Sequence, residues 1–317
     1  MRRLSNLSSH TERVWQADWS PSGDLLATCS GDKTVKIWRS ADGPLSASWE
    51  CCDTLDSHTK SVRSIAWSHS GELLASASFD GTVVIWQKHH HKFEPMLTLE
   101  GHESEVKCVS WNFDDKFLAT CGRDKTVWVW ETDIDFEYET VAVLSRHTQD
   151  IKFVSFHSSK NLLASGSYDN TIILWGEQDG DWQFLTQLIS HEGTVWSLKW
   201  LDDALLSVSD DLTLKVWDKE GDGNYHLQRT VSGIHTRSIY FCDASPVLPV
   251  IATCAGDDSI MILGKEDYQP IETVRSSHLT DVNCVKFHPN LPLLASVSDD
   301  KTISIWALEL GQHIVNE

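Results

Sequence analysis

The sequence predicts an all-β ring of seven four-stranded blades, and three observations carry that prediction. First, seven His residues precede seven Asp residues: His10/Asp32, His58/Asp80, His102/Asp124, His147/Asp169, His191/Asp211, His235/Asp257 and His278/Asp300. The separation is 22 residues in every pair but the fifth, where it is 20. Second, six residues beyond each Asp stands Trp38, Trp86, Trp130, Trp175, Trp217 or Trp306, with Leu263 in the sixth unit. Third, successive His residues are 43 to 48 apart, the period of a propeller blade.

Each unit then reads as strands. Four residues after the His comes a β-branched residue: Val14, Val62, Val106, Ile151, Val195, Ile239 or Val282. The ninth position is aromatic in six units (Trp19, Trp67, Trp111, Phe156, Trp200 and Phe287) and Ala244 in the other. That is a first strand with one buried face, ended by turn formers such as Pro21-Ser22-Gly23 and Ser70-Gly71. A short apolar run such as LLATCS or LLASAS follows, suited to a strand covered on both sides. A tight turn at the Asp leads into TVKIW-type alternation, the third strand. A variable link and a short fourth strand, as in MLTLEGH and VAVLSRH, complete the unit.

The ends complement one another. Only 11 residues follow Trp306, while RRLSNLSS before His10 resembles a fourth strand. The N-terminal segment is therefore expected to join the last blade and close the ring, which pairs otherwise open edges. The single domain would divide at approximately 10–57, 58–101, 102–146, 147–190, 191–234, 235–277 and 278–317 with 1–9.

Composition narrows the function. The hydrophobic fraction is 41%, enough for a sizeable core. The formal net charge of −20 disfavours nucleic acid, whose binding needs a basic stripe. There is no run of 18 apolar residues to span a membrane, and no apolar segment behind Arg2-Arg3 to make a secretory signal. The eight Cys show no CxxC pair, and none has zinc-ligand spacing with a His. Cys29, Cys121 and Cys254 fall within apolar strands and read as small buried hydrophobes in a reducing compartment. Nothing near the vicinal pair Cys51-Cys52 supports a redox role.

These repeats resemble the WD40 family across essentially the whole chain. In that family the His, a strand Ser/Thr, the turn Asp and the Trp form a hydrogen-bonded set. The resemblance assigns those roles in the third unit to His102, Thr120, Asp124 and Trp130. The hydroxyl four residues before the Asp occurs in every unit, as Thr28, Ser76, Thr120, Ser165, Ser207, Thr253 and Ser296. The position two before is Gly122 and Ala255 in units three and six, so the former is the expected partner. Leu263 breaks the set, and blade six should be the most loosely tied.

Ser, His and Asp together suggest a hydrolase, but a sevenfold copy is architecture rather than one special constellation. The tract His89-His90-His91 cannot turn three adjacent side chains on one metal ion and reads as a solvated loop. GDGDW and GDGNY read as turns. Asp133, Asp135, Glu137 and Glu139 read as the solvent face of a linking strand. No catalytic residue, metal or cofactor is expected.

Surface recognition remains. Three positions per unit should be exposed on the face carrying the His loops: the third and fifth residues after the His and the residue before the Asp. The fifth positions are Trp15, Arg63, Lys107, Lys152, Trp196, Tyr240 and Asn283; the residues before the Asp are Gly31, Phe79, Arg123, Tyr168, Asp210, Gly256 and Asp299. Arg63, Lys107, Arg123 and Lys152 cluster in units two to four, flanked by Trp15, Phe79, Tyr168 and Trp196. Such a basic-aromatic patch suits a carboxylate-bearing peptide with an aromatic or aliphatic anchor. The same cations could instead pair with Glu105 and Asp150 and recognise nothing.

Several segments, including FLATCGRDKTVWVWE, VLSRHTQDIKFVSFH and HEGTVWSLKW, resemble the WD40 subunit of the cytosolic iron–sulfur protein assembly machinery. That resemblance implies a non-enzymatic, monomeric platform inside a hetero-complex, cytoplasmic and also nuclear in reach. Its implied partners are a small adaptor subunit, a helical-repeat scaffold subunit, a hydrogenase-like iron–sulfur carrier and apoprotein clients. Arg123 occupies the turn position where that family carries an exposed arginine. The alternative is a generic WD40 substrate receptor, a ubiquitin-ligase adaptor or histone-tail reader. The scattered cysteines do not converge on a cluster of their own.

Overall fold

Every repeat folds as one antiparallel sheet because its apolar runs alternate with turns that reverse the chain. The computed structural model describes residues 1–89, 92–133, 137–221 and 223–309. They form seven four-stranded sheets. In six of them the strands follow chain order from the channel outward, as in blade one: Val14–Trp19, Leu25–Ser30, Val35–Arg39 and Glu50–Leu55.

The seventh sheet joins the two ends of the chain. Strand Arg2–Ser8 pairs antiparallel with Thr302–Ala307, setting Leu7 opposite Ile303. Arg3 stacks 4.6 Å from the centroid of Trp306. The innermost strand of blade seven, Val282–Phe287, packs against that of blade one, so the ring is closed. No open blade edge faces its neighbour at this junction.

The second strands are the driest. Leu73–Ser78, Phe117–Gly122 and Leu293–Ser298 are buried at every residue, as both faces press on neighbouring blades. The ninth-position aromatics are buried as well, and several reach between blades. The indole N–H of Trp19, Trp67, Trp111 and Trp200 donates to the carbonyl of Lys286, Asp18, Ala66 and Ser155, at 3.0–3.2 Å. The outermost strands are longer than the sequence suggests. Asp181–Ile189, at nine residues, is the longest strand of its blade, because its link curls back as a tight hairpin.

The channel narrows to a cavity of about 110 Å³ lined by Phe153, Phe241, Lys199 and Lys286. Phe153 and Phe241 meet edge to face with centroids 5.5 Å apart. Below them Lys199 pairs with Asp243 at 2.7 Å and Lys286 with Asp18 at 3.3 Å. Each carboxylate also accepts a backbone N–H, from Phe287 and Trp67 respectively, so the buried charges are compensated.

Two linking segments differ from expectation. Asp133 and Glu137 lie between strands Thr126–Thr132 and Tyr138–Ser145, and Asp133 donates its N–H to Glu137 O, so neither is part of a strand face. Glu139 does lie in a strand, Tyr138–Ser145, and Asp135 lies outside the described residues. His89 ends strand Val83–His89, whereas His90 and His91 also lie outside them.

Candidate partner-binding site

The rigid part of each blade's upper rim is the four-residue hydrogen-bonded set. In all seven blades His Nδ1 lies 2.6–3.1 Å from the turn Asp. Its Nε2 lies 2.7–2.9 Å from the strand hydroxyl four residues before that Asp. Six indoles donate to the same hydroxyl at 2.8–3.0 Å. A carboxylate only accepts, so in the neutral imidazole Nδ1 carries the proton toward the Asp and Nε2 accepts from the hydroxyl, whose oxygen accepts the indole N–H. This is the connectivity of a hydrolytic triad, yet all seven hydroxyls are fully buried and six of them accept an indole N–H. No substrate can reach them.

The Asp is anchored from a second side that the sequence reading overlooked. Two residues on, Thr34, Thr82, Thr126, Thr171, Thr213, Ser259 or Thr302 donates its hydroxyl to Asp Oδ1 at 2.6–2.7 Å. The Asp-x-Thr/Ser spacing recurs in all seven units and was legible. In blade six Leu263 is fully buried, and Thr253 accepts no indole.

These frames fix the residue before each Asp. Arg123 N–H donates to Glu105 O at 2.9 Å, and its Nη1 reaches Glu105 Oε1 at 3.0 Å. A Cβ on the preceding Gly122 would stand 2.6 Å from Glu105 O, so glycine suits this close approach, although other blades form the same bond with Ser or Ala at that position. Glu105 is held down to about 2, first by the Ser104 hydroxyl and later by Arg123.

The fifth residues after the His are placed by a repeated irregularity. In every innermost strand the register slips after its first residue, so Trp15, Arg63, Lys107, Lys152, Trp196, Tyr240 and Asn283 oppose no partner. A β-bulge re-aims its extra side chain, and here seven bulges aim seven side chains at the channel mouth. This corrects the expectation of exposure. Trp15, Arg63, Lys107, Lys152, Trp196 and Tyr240 are half-buried. Phe79, before the second Asp, is also half-buried. Asn283 is buried, donating to Val14 O and Asp299. Arg123 and Tyr168 are the exposed members of the predicted patch, with the Arg123 side chain 60% accessible.

The eight residues of the predicted patch and Tyr240 gather on this face, and they interleave. Arg63 stacks 4.8 Å from Trp15, and Lys107 lies 4.9 Å from Phe79. Lys152 sits between Tyr168 and Trp196, at 5.1 and 5.3 Å. Trp196 meets Tyr240 edge to face at 5.5 Å. The Tyr240 hydroxyl donates to Asp281 and is pushed up to about 12, by burial first and then by Asp281. Arg13, the third residue after His10, also lies over Trp15 at 5.2 Å and pairs with Asp299 at 3.2 Å.

In units two to four the charge balance is positive, with Arg63, Lys107, Arg123 and Lys152 against Glu105 and Asp150. Lys107 and Lys152 share Asp150, at 3.7 and 3.5 Å, and burial followed by the charge of Lys152 lowers the Lys107 pKa. Among the described residues Arg63 has no carboxylate in ion-pair range, and burial lowers its pKa. Shallow cavities of about 240 and 300 Å³ flank Arg123, one bounded by Lys107, Lys152 and Tyr168, the other by Phe79 and Glu105.

Metal chemistry has no comparable site. Among the described residues no three His, Cys, Asp or Glu side chains are placed to hold a metal ion. All eight cysteines are free thiols, six of them buried. Cys51 and Cys52 bond separate carbonyls, of Asp53 and Ile37.

Comparison with known proteins agrees with this geometry. The family model "WD domain, G-beta repeat" matches residues 1–39, 49–87, 93–131, 138–176, 182–218 and 269–307. The chain belongs to the WD40 repeat family. The stretch between the last two matches is the one that carries Leu263 in place of Trp. A Chlamydomonas reinhardtii relative, "Probable cytosolic iron-sulfur protein assembly protein CIAO1 homolog", is 46% identical over 96% of this chain and 97% of its own length. An Aedes aegypti relative, "Probable cytosolic iron-sulfur protein assembly protein Ciao1", is 43% identical over 41% of this WD40 chain and 45% of its own. The mouse protein of that name is 43% identical over 24% of this chain and 25% of its own.

Proposed function

We propose that this WD40 protein serves cytosolic iron–sulfur protein assembly as a non-enzymatic docking platform. The single observation that carries the reading is the ring of bulged cations and aromatics around the channel mouth, with Arg123 exposed on its rim. Similarity over nearly the whole chain to a protein named for that process supplies the biological setting.

The mouth is built to receive an anion. Arg63 has no carboxylate partner among the described residues, and two lysines share a single Asp150. A carboxylate-bearing segment with an aromatic or aliphatic side chain would satisfy the surplus charge and pack on Phe79 and Tyr168. The partners in this reading are a small adaptor subunit, a helical-repeat scaffold subunit, a hydrogenase-like iron–sulfur carrier and apoprotein clients. The protein is a cytoplasmic monomer within that assembly and also reaches nuclear clients. The cluster is cargo held by others.

Affinity purification of the tagged chain from cells tests the proposal. Iron–sulfur assembly factors should co-purify with the wild type and be depleted by Arg123→Glu. Recovery of cullin or histone complexes without those factors would instead make the protein a generic WD40 receptor. Reconstitution of the isolated chain with iron and sulfide should leave it free of stoichiometric metal.

A further inference from the structure

A second recognition surface lies on the opposite face. The first turn and the third link of each blade emerge away from the His loops, because the strands alternate in direction. At the junction of blades one and two these segments enclose a groove of about 590 Å³. Its floor is apolar: Leu25, Ile37, Phe93 and the half-buried Cys52. Cys52 is itself a bulge residue, skipped where the register slips between Ile37 and Trp38.

The rim is cationic on an otherwise acidic protein. Arg39, Lys88 and Lys92 line it, against Asp24 as the acidic group of the lining. Lys92 pairs with Asp53 at 3.0 Å, while Arg39 reaches Glu50 only at 3.9 Å. Lys88 is half-buried, and among the described residues no carboxylate lies in ion-pair range of it. The Ser40 hydroxyl, also in the wall, is buried and has no hydrogen-bond partner there. An orphaned buried hydroxyl is costly unless a ligand completes it.

The neighbouring junction, of blades two and three, carries the opposite charge. The corresponding cavity beside blade three is bounded by Glu72, Asp114, Asp115, Glu131 and Glu137, with Lys116 as the cation of its lining. The residue that follows the repeat Trp, Arg39 in blade one, is Gln87, Glu131, Gly176, Asp218 and Ala307 in the other Trp-bearing blades.

We infer that this groove docks an acidic peptide segment of a protein partner, seating an apolar side chain on the Leu25–Phe93 floor between Arg39 and Lys88. Charge complementarity selects the acid, and the fork of Arg39 suits a carboxylate. The apolar floor distinguishes such a segment from a bare anion. The surface is separate from the channel mouth, so one platform can hold two partners at once.

The test uses the full chain, immobilised, and a pool of hexapeptides randomised over Asp, Glu, Leu, Ile and Phe. Retention should exceed that of an Asp/Ser pool, and photo-cross-links from retained peptides should map to residues 22–44, 52, 88, 92 and 93. Arg39→Glu with Lys88→Glu should cut retention about tenfold without shifting the melting temperature, while Lys88→Arg should restore binding to near wild type. Equal retention of the Asp/Ser pool, cross-links on the His-loop face or undiminished binding by the double-charge reversal would each overturn the inference. So would dimerisation of the wild type that the reversal abolishes, which would give the groove to a second copy.

Discussion

Arg123 is joined to Glu105 twice, through its backbone N–H to the carbonyl at 2.9 Å and through Nη1 to Oε1 at 3.0 Å. The first bond belongs to the blade and needs no particular side chain. The second is an exposed ion pair, of a kind worth about 0–1 kcal/mol. Placement and function are therefore separable at this residue.

Arg123→Glu should consequently leave the melting temperature within about 2 °C of wild type, because only the weak pair is lost. Capture of partner or client proteins in a pull-down should fall sharply. A cooperative loss of folding, or intact capture, would return Arg123 to an ordinary turn residue.

The blade frames should differ in what they lose with their hydroxyl. Thr120→Val leaves His102 Nε2 and Trp130 N–H unpaired in the core, which costs about 2–4 kcal/mol. Thr253→Val strands only His235, since Leu263 has no N–H to leave behind, and costs about 1–2 kcal/mol. Urea denaturation of both variants measures the difference. Equal losses would mean that the indole bond contributes nothing.

Acid should unfold the ring through the seven turn aspartates. At Asp32, Asp80 and Asp169 burial, the largest influence, opposes ionisation, yet hydrogen bonds from the His and Thr partners outweigh it and lower the pKa. Asp124, Asp211, Asp257 and Asp300 shift the same way. A lowered folded pKa contributes stability above the unfolded value, about 4, and loses it as the pH falls through the folded one. His191, which burial lowers, adds a smaller loss below about 6.5, where the unfolded chain takes the proton first. The urea midpoint should decline gently from pH 7 to 5 and steeply below about 4. A midpoint unchanged at pH 4 would contradict the assignment.

Deleting residues 2–8 should open the last blade. Leu7 leaves the core and the edge of Thr302–Ala307 loses its partner strand. An unprotected edge recruits other chains. Light scattering should show concentration-dependent association and calorimetry a lower melting temperature; a monomer with unchanged melting would show that closure is dispensable.

How much of this was legible depends on whether the signal travels along the chain. The His102–Thr120–Asp124–Trp130 set was readable because its members sit at fixed covalent separations that recur. The Asp-x-Thr/Ser bond had the same property and was passed over. The exposure of Lys107 and Lys152 was misjudged, because alternation along a strand cannot reveal a bulge. The slip arises only when a strand is paired with its neighbour.

The sequence by itself determined the number of blades, the residues that lock each upper turn and the strand that closes the ring. All three are local or periodic properties. Only the tertiary structure decided that Lys152 stands between Tyr168 and Trp196, or that Arg39 and Lys88 share one groove. Lys152 and Trp196, like Arg39 and Lys88, come from different blades, and the angle at which two packed sheets meet is set by their contact rather than by either strand alone.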